Sequence, residues 1–355
     1  MVEIYGKSYS RQDLLKRVGL VDQVAGVRMV ELTDGIGRGV RTASFRTGAG
    51  FNASLLVDRG LDIYDAEYNG IPLAWVSPTG PTHPAYFEPP ELGWRRTFYG
   101  GLMLTCGLTT IGAPSVDGGE ALGLHGRISN LPASNVQYGG YWEGDQYMVF
   151  VEGQVREAIV FGENLLLHRR VEARLGEAKI SVFDTVTNEG FLPTPHMILY
   201  HVNAGFPIVD GGSQLIAPSR AVTPRDEDAR LGLQEYNRFS APLPNYREQV
   251  FFHEMQAASD GYVMAALVNP AFNNGQGLGF YVRYRQQELP CFNQWKMMGE
   301  SVYAVGLEPA SNWVSGRAVE RERGALQILQ PGEQRSYHLE FGVLASKADI
   351  IKIQA

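Results

Sequence analysis

The stretch that decides the fold lies at residues 135–190 and reads NVQYGGYWEGDQYMVFVEGQVREAIVFGENLLLHRRVEARLGEAKISVFDTVTNEG. Short β-rich runs, such as Tyr147–Val151 and Ile180–Phe183, are separated by glycine-containing segments at Gly139-Gly140, Gly144-Asp145, Gly162-Glu163-Asn164 and Gly176-Glu177. Turn signals that recur about every ten residues are typical of a meander of short antiparallel strands. The stretch therefore predicts an antiparallel sheet, and an all-β fold for the chain.

Strand signals continue on both sides of this meander. Phe51–Leu56 is apolar and extended in character, and Asn69-Gly70 separates two strand-like runs at 63–68 and 71–76. Because Asn-Gly readily adopts the positive φ angles of a tight turn, these runs predict a hairpin. Residues 325–344 predict a closing hairpin around Pro331-Gly332-Glu333. Residues 217–250 carry four prolines among charges and predict a long excursion across the surface.

One short helix is expected near the start of the chain. Ser10 can cap it, Asp13 falls at the third helical position and Gly19 can end it, which predicts a helix over residues 10–18 and little helix elsewhere. No low-complexity linker or clear repeat divides the sequence, so we expect one domain over residues 1–355, with residues 1–50 part of the same unit. Two packed sheets would lie about 10 Å apart.

Composition limits the classes of function. Hydrophobic residues make up 44% and charged residues 19% of the chain, which excludes a disordered protein. A net charge of −7 argues against a nucleic-acid partner, because such proteins need a basic surface. Two cysteines do not form a disulfide framework, and neither an apolar leader nor a stretch of about 20 apolar residues is present. We therefore expect a cytoplasmic protein without a membrane partner; the sequence does not indicate its oligomeric state.

Two segments place a histidine where it can do chemistry. In Gly123-Leu124-His125-Gly126-Arg127, the glycine permits close approach of backbone and ligand, and Arg127 adds a cation; a polar turn is the alternative. Later in the chain, an apolar run from His196 ends at His201 and Asn203. His196 and His201 are five residues apart, so in a regular strand they face opposite sides, and only one can enter a given pocket.

A third segment places a carboxylate at the end of an apolar strand. Glu308 stands directly before Pro309, and burial there would raise its pKa and make it a usable base. Trp295 offers a flat surface on which a sugar ring can stack. The alternatives are a surface glutamate and a core tryptophan.

Taken in order, these segments resemble the aldose 1-epimerase family, also called galactose mutarotase-like proteins. The family's pattern is a His-Gly after an apolar segment, a histidine that ends a later strand, and a Glu-Pro-type carboxylate near the C-terminus. Here these fall at His125-Gly126, His201 and Glu308, over roughly residues 50–345. The chain looks more specifically like a divergent branch of that superfamily, on the marks Asp58-Arg59-Gly60-Leu61-Asp62-Ile63, Thr105-Cys106-Gly107-Leu108, Leu124-His125-Gly126-Arg127 and Gly306-Leu307-Glu308-Pro309.

The resemblance implies a β-supersandwich, so together with the patterns above we expect an antiparallel β-supersandwich with a short N-terminal helix. It also implies that Glu308 takes the proton from the anomeric hydroxyl of an aldose, while His201 gives a proton to the ring oxygen. The ring opens and recloses as the other anomer, without metal or cofactor. His125 would orient a hydroxyl. The expected substrate-binding residues, in one open cleft, are His125, Arg59, Asp62, Arg127, Trp295 and Asn203.

The chain departs from the family in two places. Residues 100–107 lack the arginine that typical members carry ahead of the first His-Gly, so Arg59 or Arg127 is expected to supply the cation. The family's substrate-binding aspartate has no clear counterpart, and Asp226 and Asp228 are candidates by position only. An arginine-rich pocket would suit a sugar acid, sulfonate or phosphate.

Two other functions fit the same residues. One is an isomerase, epimerase or lyase acting on a modified or oxidised sugar, with a divalent metal held by His125, His201 and Glu308. The other is a non-catalytic carbohydrate-binding protein. An intact acid–base set favours an enzyme, since a pure binder needs no base opposite an acid.

Overall fold

The protein is described by a computed structural model over residues 1–354, which form 24 strands, five α-helices and six short 3-10 helices. The strands are β1 (Val2–Ile4), β2 (Lys7–Tyr9), β3 (Gly26–Glu31), β4 (Arg41–Arg46), β5 (Phe51–Leu56), β6 (Asp62–Tyr68), β7 (Ile71–Pro72), β8 (Leu104–Leu108), β9 (Ser115–Asp117), β10 (Glu120–Leu122), β11 (Ser134–Glu143), β12 (Gln146–Ala158), β13 (Asn164–Arg174), β14 (Lys179–Asn188), β15 (Thr194–Ala204), β16 (Gln214–Ile216), β17 (Ser219–Pro224), β18 (Gln249–Met255), β19 (Tyr262–Asn269), β20 (Leu278–Arg285), β21 (Cys291–Met298), β22 (Tyr303–Ala310), β23 (Gln327–Leu329) and β24 (Gln334–Leu344). The helices are α1 (Arg11–Leu15), α2 (Glu227–Leu231), α3 (Phe272–Gly275), α4 (Arg317–Glu322) and α5 (Lys347–Gln354).

Two large antiparallel sheets contain most of the strands. One has eight strands in the order β11-β12-β13-β14-β24-β20-β19-β16. The other has the order β17-β18-β21-β22-β15-β23, with β8 also paired to β15. A five-stranded sheet, β3 to β7 in chain order, and two short two-stranded sheets complete the fold. The predicted all-β antiparallel fold is confirmed.

The two large sheets bury one face each against the other. Val171 and Val182 of the eight-stranded sheet belong to one core with Tyr200, Val202 and Leu307 of the seven-stranded sheet. Alternate residues of a strand point to opposite faces, so each of these strands also presents a second face. The arrangement is a sandwich of two sheets.

Strand β15 divides its side chains between two environments. Tyr200 and Val202 point into the shared core, whereas Met197 and Leu199 belong to a second apolar cluster on the other face of the seven-stranded sheet. Trp94 also belongs to this cluster, because the long loops between β7 and β11 cover that face. The period of two places His201 on the covered face, and His196 on the core face as predicted.

Several local predictions are confirmed. The meander at 135–190 forms β11 to β14, and Phe51–Leu56 is β5. Asn69 and Gly70 have φ angles of 51° and 78° and join β6 to β7, although β7 spans only two residues. Ser10 caps α1 by accepting from the Asp13 N–H at 3.1 Å. The helix ends at Leu15, however, and α2 to α5 were not predicted.

Two other local predictions are wrong. Gly139 and Gly140 lie inside β11, where a Cβ on Gly140 would meet the Tyr147 ring at 2.5 Å, so this glycine allows close ring packing rather than a turn. Residues 325–344 form no hairpin, since β23 pairs with β15 and β24 pairs with β14 and β20 in the opposite sheet. Residues 217–250 are mostly exposed, as predicted for a surface excursion, and they include strand β17 and helix α2. Among residues 1–354, no helix is long and apolar enough to cross a membrane.

Candidate functional site

The covered face of the seven-stranded sheet brings His201 and Glu308 together. The register of β15 with β22, which pairs Leu199 with Ala310 and Val202 with Leu307, sets His201 directly across from Glu308. Directly paired residues in a sheet point to the same face, so both side chains emerge side by side. The distance from His201 Nε2 to Glu308 Oε1 is 3.2 Å.

This pair is deeply buried but incompletely hydrogen-bonded. His201 is 5% and Glu308 3% exposed. The 3.2 Å contact lacks the angles of a hydrogen bond, and both Glu308 Oε1 and His201 Nδ1 have no hydrogen-bond partner among the described residues. Buried polar atoms are nearly always paired, so two orphaned atoms on adjacent titratable groups indicate a site that binds a ligand.

Burial also changes the proton affinity of both groups. It raises the pKa of the Glu308 carboxyl to about 8, with Arg225 opposing the rise and Glu248 adding to it. Burial lowers the pKa of His201 to about 3, against a smaller effect of the Asn203 side chain. An ion pair between the two would oppose both shifts. Burial of both groups favours their uncharged forms, which places one proton on the carboxyl beside a neutral imidazole.

Gly306 lies directly beside this pair and allows its close packing. It lies two residues before Glu308 on β22, opposite Trp295 on β21, and faces the same way as both. A Cβ at this position would meet Glu308 Oε1 at 2.7 Å and His201 Cε1 at 3.2 Å. Because Gly306 has no side chain, the Glu308 carboxyl and the His201 ring can pack directly over the backbone of β22.

His125 reaches the same place from a loop. Its ring centroid is 5.7 Å from that of His201. The Gly112 N–H donates to His125 Nδ1 at 3.3 Å, so the neutral ring carries its proton on Nε2. Burial, followed by the His201 and Arg95 charges, holds the pKa of His125 well below its usual value, so the ring is a neutral donor at pH 7.

The glycine after His125 serves the backbone rather than a ligand. Gly126 has a φ of 72°, and a Cβ there would stand 2.4 Å from the Gly107 carbonyl oxygen. The neighbouring N–H of Arg127 donates to that same oxygen at 3.1 Å. Only glycine allows this approach, which docks the His125 loop onto β8.

Aromatic rings surround the titratable pair. Phe98 lies 5.1 Å and Trp295 5.7 Å from the His201 ring, measured between centroids. Trp94 stacks on Phe98 at 4.4 Å and lies 4.7 Å from His125, while Trp75 contacts Trp295 at 5.7 Å. These rings cover the pair, whose side chains are almost fully buried. The prediction that the pair lines an open cleft is therefore wrong.

Six residues around the pair were not predicted from the sequence, namely Trp75, Trp94, Phe98, Asn293, Arg225 and Glu248. Asn293 pairs with Glu308 across β21 and β22, and Trp295 Nε1 donates to Glu248 at 3.1 Å. Asn293 could have been predicted from the sequence, because it lies two residues before Trp295 and residues two apart on a strand share a face. Trp94 and Phe98 come from a loop with no strand pattern or motif that would have identified them.

The prediction that Arg59 binds substrate is contradicted by its position. Arg59 is fully buried, and its guanidinium donates to the carbonyl oxygens of Ser129, Thr82 and Thr97 at 2.6, 2.6 and 2.9 Å. Gly60 and Leu61 have φ angles of 67° and 54°, so the predicted turn at Gly60 is present, but it directs Arg59 into the interior. Arg59 therefore joins three loops together.

Asp62 is likewise a structural residue and not part of the predicted cleft. It is fully buried, and its Oδ1 contacts Arg169 Nη1 at 2.5 Å and Thr105 Oγ1 at 2.6 Å. Its Oδ2 accepts from the Thr105 N–H at 2.9 Å. With its acceptors occupied by protein donors, this carboxylate is not free to bind a sugar.

The remaining predicted residues lie at different distances from the pair. The Asn203 side chain donates to the Gly101 and His201 carbonyl oxygens, leaving Oδ1 without a partner. Arg127 is half-buried beside His125, and its guanidinium forms no ion pair within residues 1–354. Asp226 caps α2 by accepting from Ala229, and Asp228 pairs with Arg247 at 2.8 Å, so neither is the missing substrate-binding aspartate.

The metal-assisted alternative does not fit this geometry. Across residues 1–354, no three His, Cys, Asp or Glu side chains are arranged to hold one metal ion. His125 in particular has Nδ1 engaged by Gly112 rather than directed into a shared coordination sphere. The three residues predicted as alternative ligands thus lie near each other without forming a ligand set.

Solved structures of other proteins share this fold. A structure from Klebsiella pneumoniae subsp. pneumoniae MGH 78578, described as a "putative aldose 1-epimerase", is 25% identical, with a TM-score of 0.87 over 92% of this chain and 85% of that chain. A galactose mutarotase-like protein from Clostridium acetobutylicum has a TM-score of 0.62 at 13% identity, over 91% and 99% of the two chains. Galactose 1-epimerase from Lactobacillus acidophilus NCFM has a TM-score of 0.57 at 12% identity, over 90% and 99%.

Sequence comparison adds the family. No curated protein sequence matches the chain. The model of a family described as a domain of unknown function, DUF4432, matches residues 37–343, which include every residue of the site. The β-supersandwich implied by the sequence resemblance is confirmed by the solved structures. The chain thus belongs to the DUF4432 family and is a divergent member of the aldose 1-epimerase (galactose mutarotase-like) superfamily.

Proposed function

We propose that the protein is an isomerase of the aldose 1-epimerase type, which opens and recloses the ring of an aldose. The observation that carries this proposal is the buried His201–Glu308 pair, in contact at 3.2 Å and with an unpartnered atom on each side chain. A group that only stabilised the fold would have its polar atoms satisfied. Ring opening needs one acid and one base at a single ring, which such a pair can supply.

The character of the free atoms favours a substrate rich in hydroxyl groups. Near the pair on this face of the sheet, the buried atoms without partners are Glu308 Oε1, His201 Nδ1, Asn203 Oδ1 and Asn293 Oδ1. Carboxylate and amide oxygens accept hydrogen bonds, whereas His201 Nδ1 carries the proton of the neutral ring and donates when Nε2 accepts from the Glu308 carboxyl. Sugar hydroxyls both donate and accept, so they suit all four atoms, whereas an anionic group would be repelled by the three oxygens. The faces of Trp295 and Phe98 suit the apolar side of a sugar ring.

The proton balance of the reaction follows from the pair. Transfer of the carboxyl proton from Glu308 to His201 gives a carboxylate base and an imidazolium acid, and sugar hydroxyls that donate to Oε1 favour this charged form. Glu308 takes the proton of the anomeric hydroxyl as His201 protonates the ring oxygen, so the bond from the anomeric carbon to the ring oxygen breaks and the anomeric C–O becomes the carbonyl of the open-chain aldehyde. Rotation and the reverse transfers close the other anomer and restore the pair.

The test is anomer interconversion by the purified protein. Polarimetry and saturation-transfer NMR would follow a panel of neutral aldoses, with uronic and sulfonated sugars beside them. We expect acceleration for at least one neutral aldose, and a loss of about a hundred- to ten-thousand-fold in E308Q and H201N. Because the two groups act as one unit, the double variant should be little worse than either single variant.

A matched control is Glu288→Gln. Glu288 accepts the His338 N–H at 2.8 Å, away from the site, so its replacement should leave the rate unchanged. If every sugar that binds the wild-type protein interconverts only at the spontaneous rate, the enzymatic proposal fails. A carbohydrate-binding protein would then be the correct description.

A further inference from the structure

The loop that carries His125 is held by one buried carboxylate that takes no part in the proposed chemistry. Glu157 lies on β12 of the eight-stranded sheet and is 1% exposed. Its Oε2 accepts the Leu108 N–H at 2.7 Å, and its Oε1 accepts the Thr109 hydroxyl at 2.9 Å. A buried carboxylate is costly unless it is well hydrogen-bonded, and these two donors fix it in place.

Residues 107–112, which include the two hydrogen-bond donors to Glu157, also form the hydrogen bonds that position His125. The Gly107 N–H donates to the His125 carbonyl at 3.1 Å, and the His125 N–H donates to the Gly112 carbonyl at 3.0 Å. The Gly112 N–H in turn donates to the His125 ring. Backbone and ring of His125 therefore take their position from residues 107–112, which start at the end of β8.

We propose that Glu157 is a positioning residue for His125: by anchoring Leu108 and Thr109 to the eight-stranded sheet, it sets the place of the His125 ring beside His201 and Glu308. The kinetic consequence rests on the proposed function, but the geometric one does not. A second support, His196, donates from Nδ1 to the Leu108 carbonyl at 3.0 Å while its Nε2 accepts from Tyr337. His196 contacts Leu108 alone, whereas Glu157 accepts hydrogen bonds from both Leu108 and Thr109.

The side-chain chemistry provides a conservative and a disruptive variant. In E157Q the amide oxygen can accept the Leu108 N–H, and the amide nitrogen can donate to the Thr109 hydroxyl, which accepts as well as donates. E157M has similar length but leaves the Leu108 N–H and the Thr109 hydroxyl without partners. T109V removes one of the two bonds and keeps the other, which gives a milder variant if E157M does not fold.

Two measurements test the proposal. Histidine-labelled protein, with the His125 signal assigned by its loss in H125Q, reports the ring's tautomer and environment by NMR without any substrate. We expect that signal to move in E157M and in T109V and to stay in place in E157Q. On the best aldose of the panel, E157M should lose about 10- to 100-fold in kcat/KM, since small displacements of a positioning group have effects of that order. E157Q should stay within about threefold of wild type.

Glu288→Met is the control for general destabilisation. It removes a carboxylate that accepts a backbone N–H elsewhere in the molecule, so it should lower the melting temperature without moving the His125 signal. An unchanged His125 signal in folded E157M or T109V would overturn the proposal, as would an E157Q as impaired as E157M. If wild type accelerates no sugar, the proposed function fails, while the NMR result still decides the role of Glu157.

Discussion

Two buried polar clusters lie on opposite faces of the seven-stranded sheet, and they differ in how well they are satisfied. On the core side, Arg169 contacts Asp62 at 2.5 Å and Asp184 at 2.6 Å, and Tyr200 donates to Asp184 at 2.7 Å. On the covered side, His201 and Glu308 contact each other, and each keeps an atom without a partner. Tyr200 and His201 are adjacent in sequence, so neighbouring residues of one strand serve the two clusters.

This difference in hydrogen bonding distinguishes a structural cluster from a candidate functional one. The Arg169 cluster uses its charges on one another, so it has little capacity left for a ligand and much to lose if one member is removed. The His201–Glu308 pair is satisfied only in part, so replacing a member should harm binding and catalysis more than folding. Both clusters are buried, so burial alone does not distinguish them. They differ in whether every buried polar atom has a hydrogen-bond partner.

The largest effect on stability is expected from Arg169→Met. The change leaves Asp62 and Asp184 as buried carboxylates without their cation, at a cost of about 3–5 kcal/mol in the free energy of unfolding. Urea denaturation would measure it. Arg174→Met on the same strand is the control, because that side chain is 56% exposed in a weak 3.8 Å pair, and its loss should cost under about 1 kcal/mol. Equal losses in both variants would contradict the contrast between the clusters.

A smaller, pH-dependent effect of the opposite sign is expected from E308Q. The pKa of Glu308 is about 8 in the fold against a reference value of 4.5, so between these values the folded protein binds more protons than the unfolded chain. Wild-type stability from this group is therefore fully present below pH 4.5 and is lost as pH rises through 8. E308Q has no such loss, and relative to wild type it should gain about 2 kcal/mol between pH 6.5 and 9.

Melting curves of both proteins at the two pH values would check this prediction. His201, whose pKa is lowered to about 3, is present in both proteins, so its titration in the unfolded chain near its usual 6.5 contributes equally and the difference between the two curves isolates Glu308. Parallel loss of stability in E308Q and wild type would show that Glu308 is ionised throughout that window, and the assignment of the proton to the pair would be wrong.

The smallest effect concerns the rate in mild alkali. The pair has one acid and one base only while it holds a single proton, so kcat/KM should fall about tenfold per pH unit above about 8, after subtraction of the spontaneous rate. The Arg169 cluster has no role in this fall. An enzymatic rate that keeps rising above pH 8 would mean that the Glu308 carboxylate acts as a base without His201 as an acid.

The sequence indicates the elements of the fold better than their partners. Strand β5 and the Asn69-Gly70 turn depend on neighbouring residues, so local pattern identifies both. The pairing of β23 with β15 rather than β24 depends on residues more than a hundred positions apart. No local signal carries that information, and the Pro331-Gly332 turn looks the same in a hairpin as in a crossing between sheets.

The candidate site divides in the same way. His201 and Glu308 follow apolar runs in the order of a known family, and the structure brings them together on the adjacent strands β15 and β22. Arg59 and Asp62 occupy an equally polar, turn-like motif, but Asp62 pairs with Arg169, which lies 107 residues further on. A polar residue that is satisfied by a distant partner looks the same in the sequence as one that is free for a substrate.

The aromatic rings around the pair make the site its own optical probe. Three of the five tryptophans lie around the pair. Trp94 and Trp295 lie beside the His201 ring. Trp75 contacts Phe98 and Trp295, and Trp94 also stacks on Phe98. A molecule that enters beside His201 must change the polarity or packing around at least one of these indoles. Intrinsic fluorescence can therefore screen unlabelled sugars for binding before any assay of turnover exists, and it separates ligands that bind without reacting from those that do not bind.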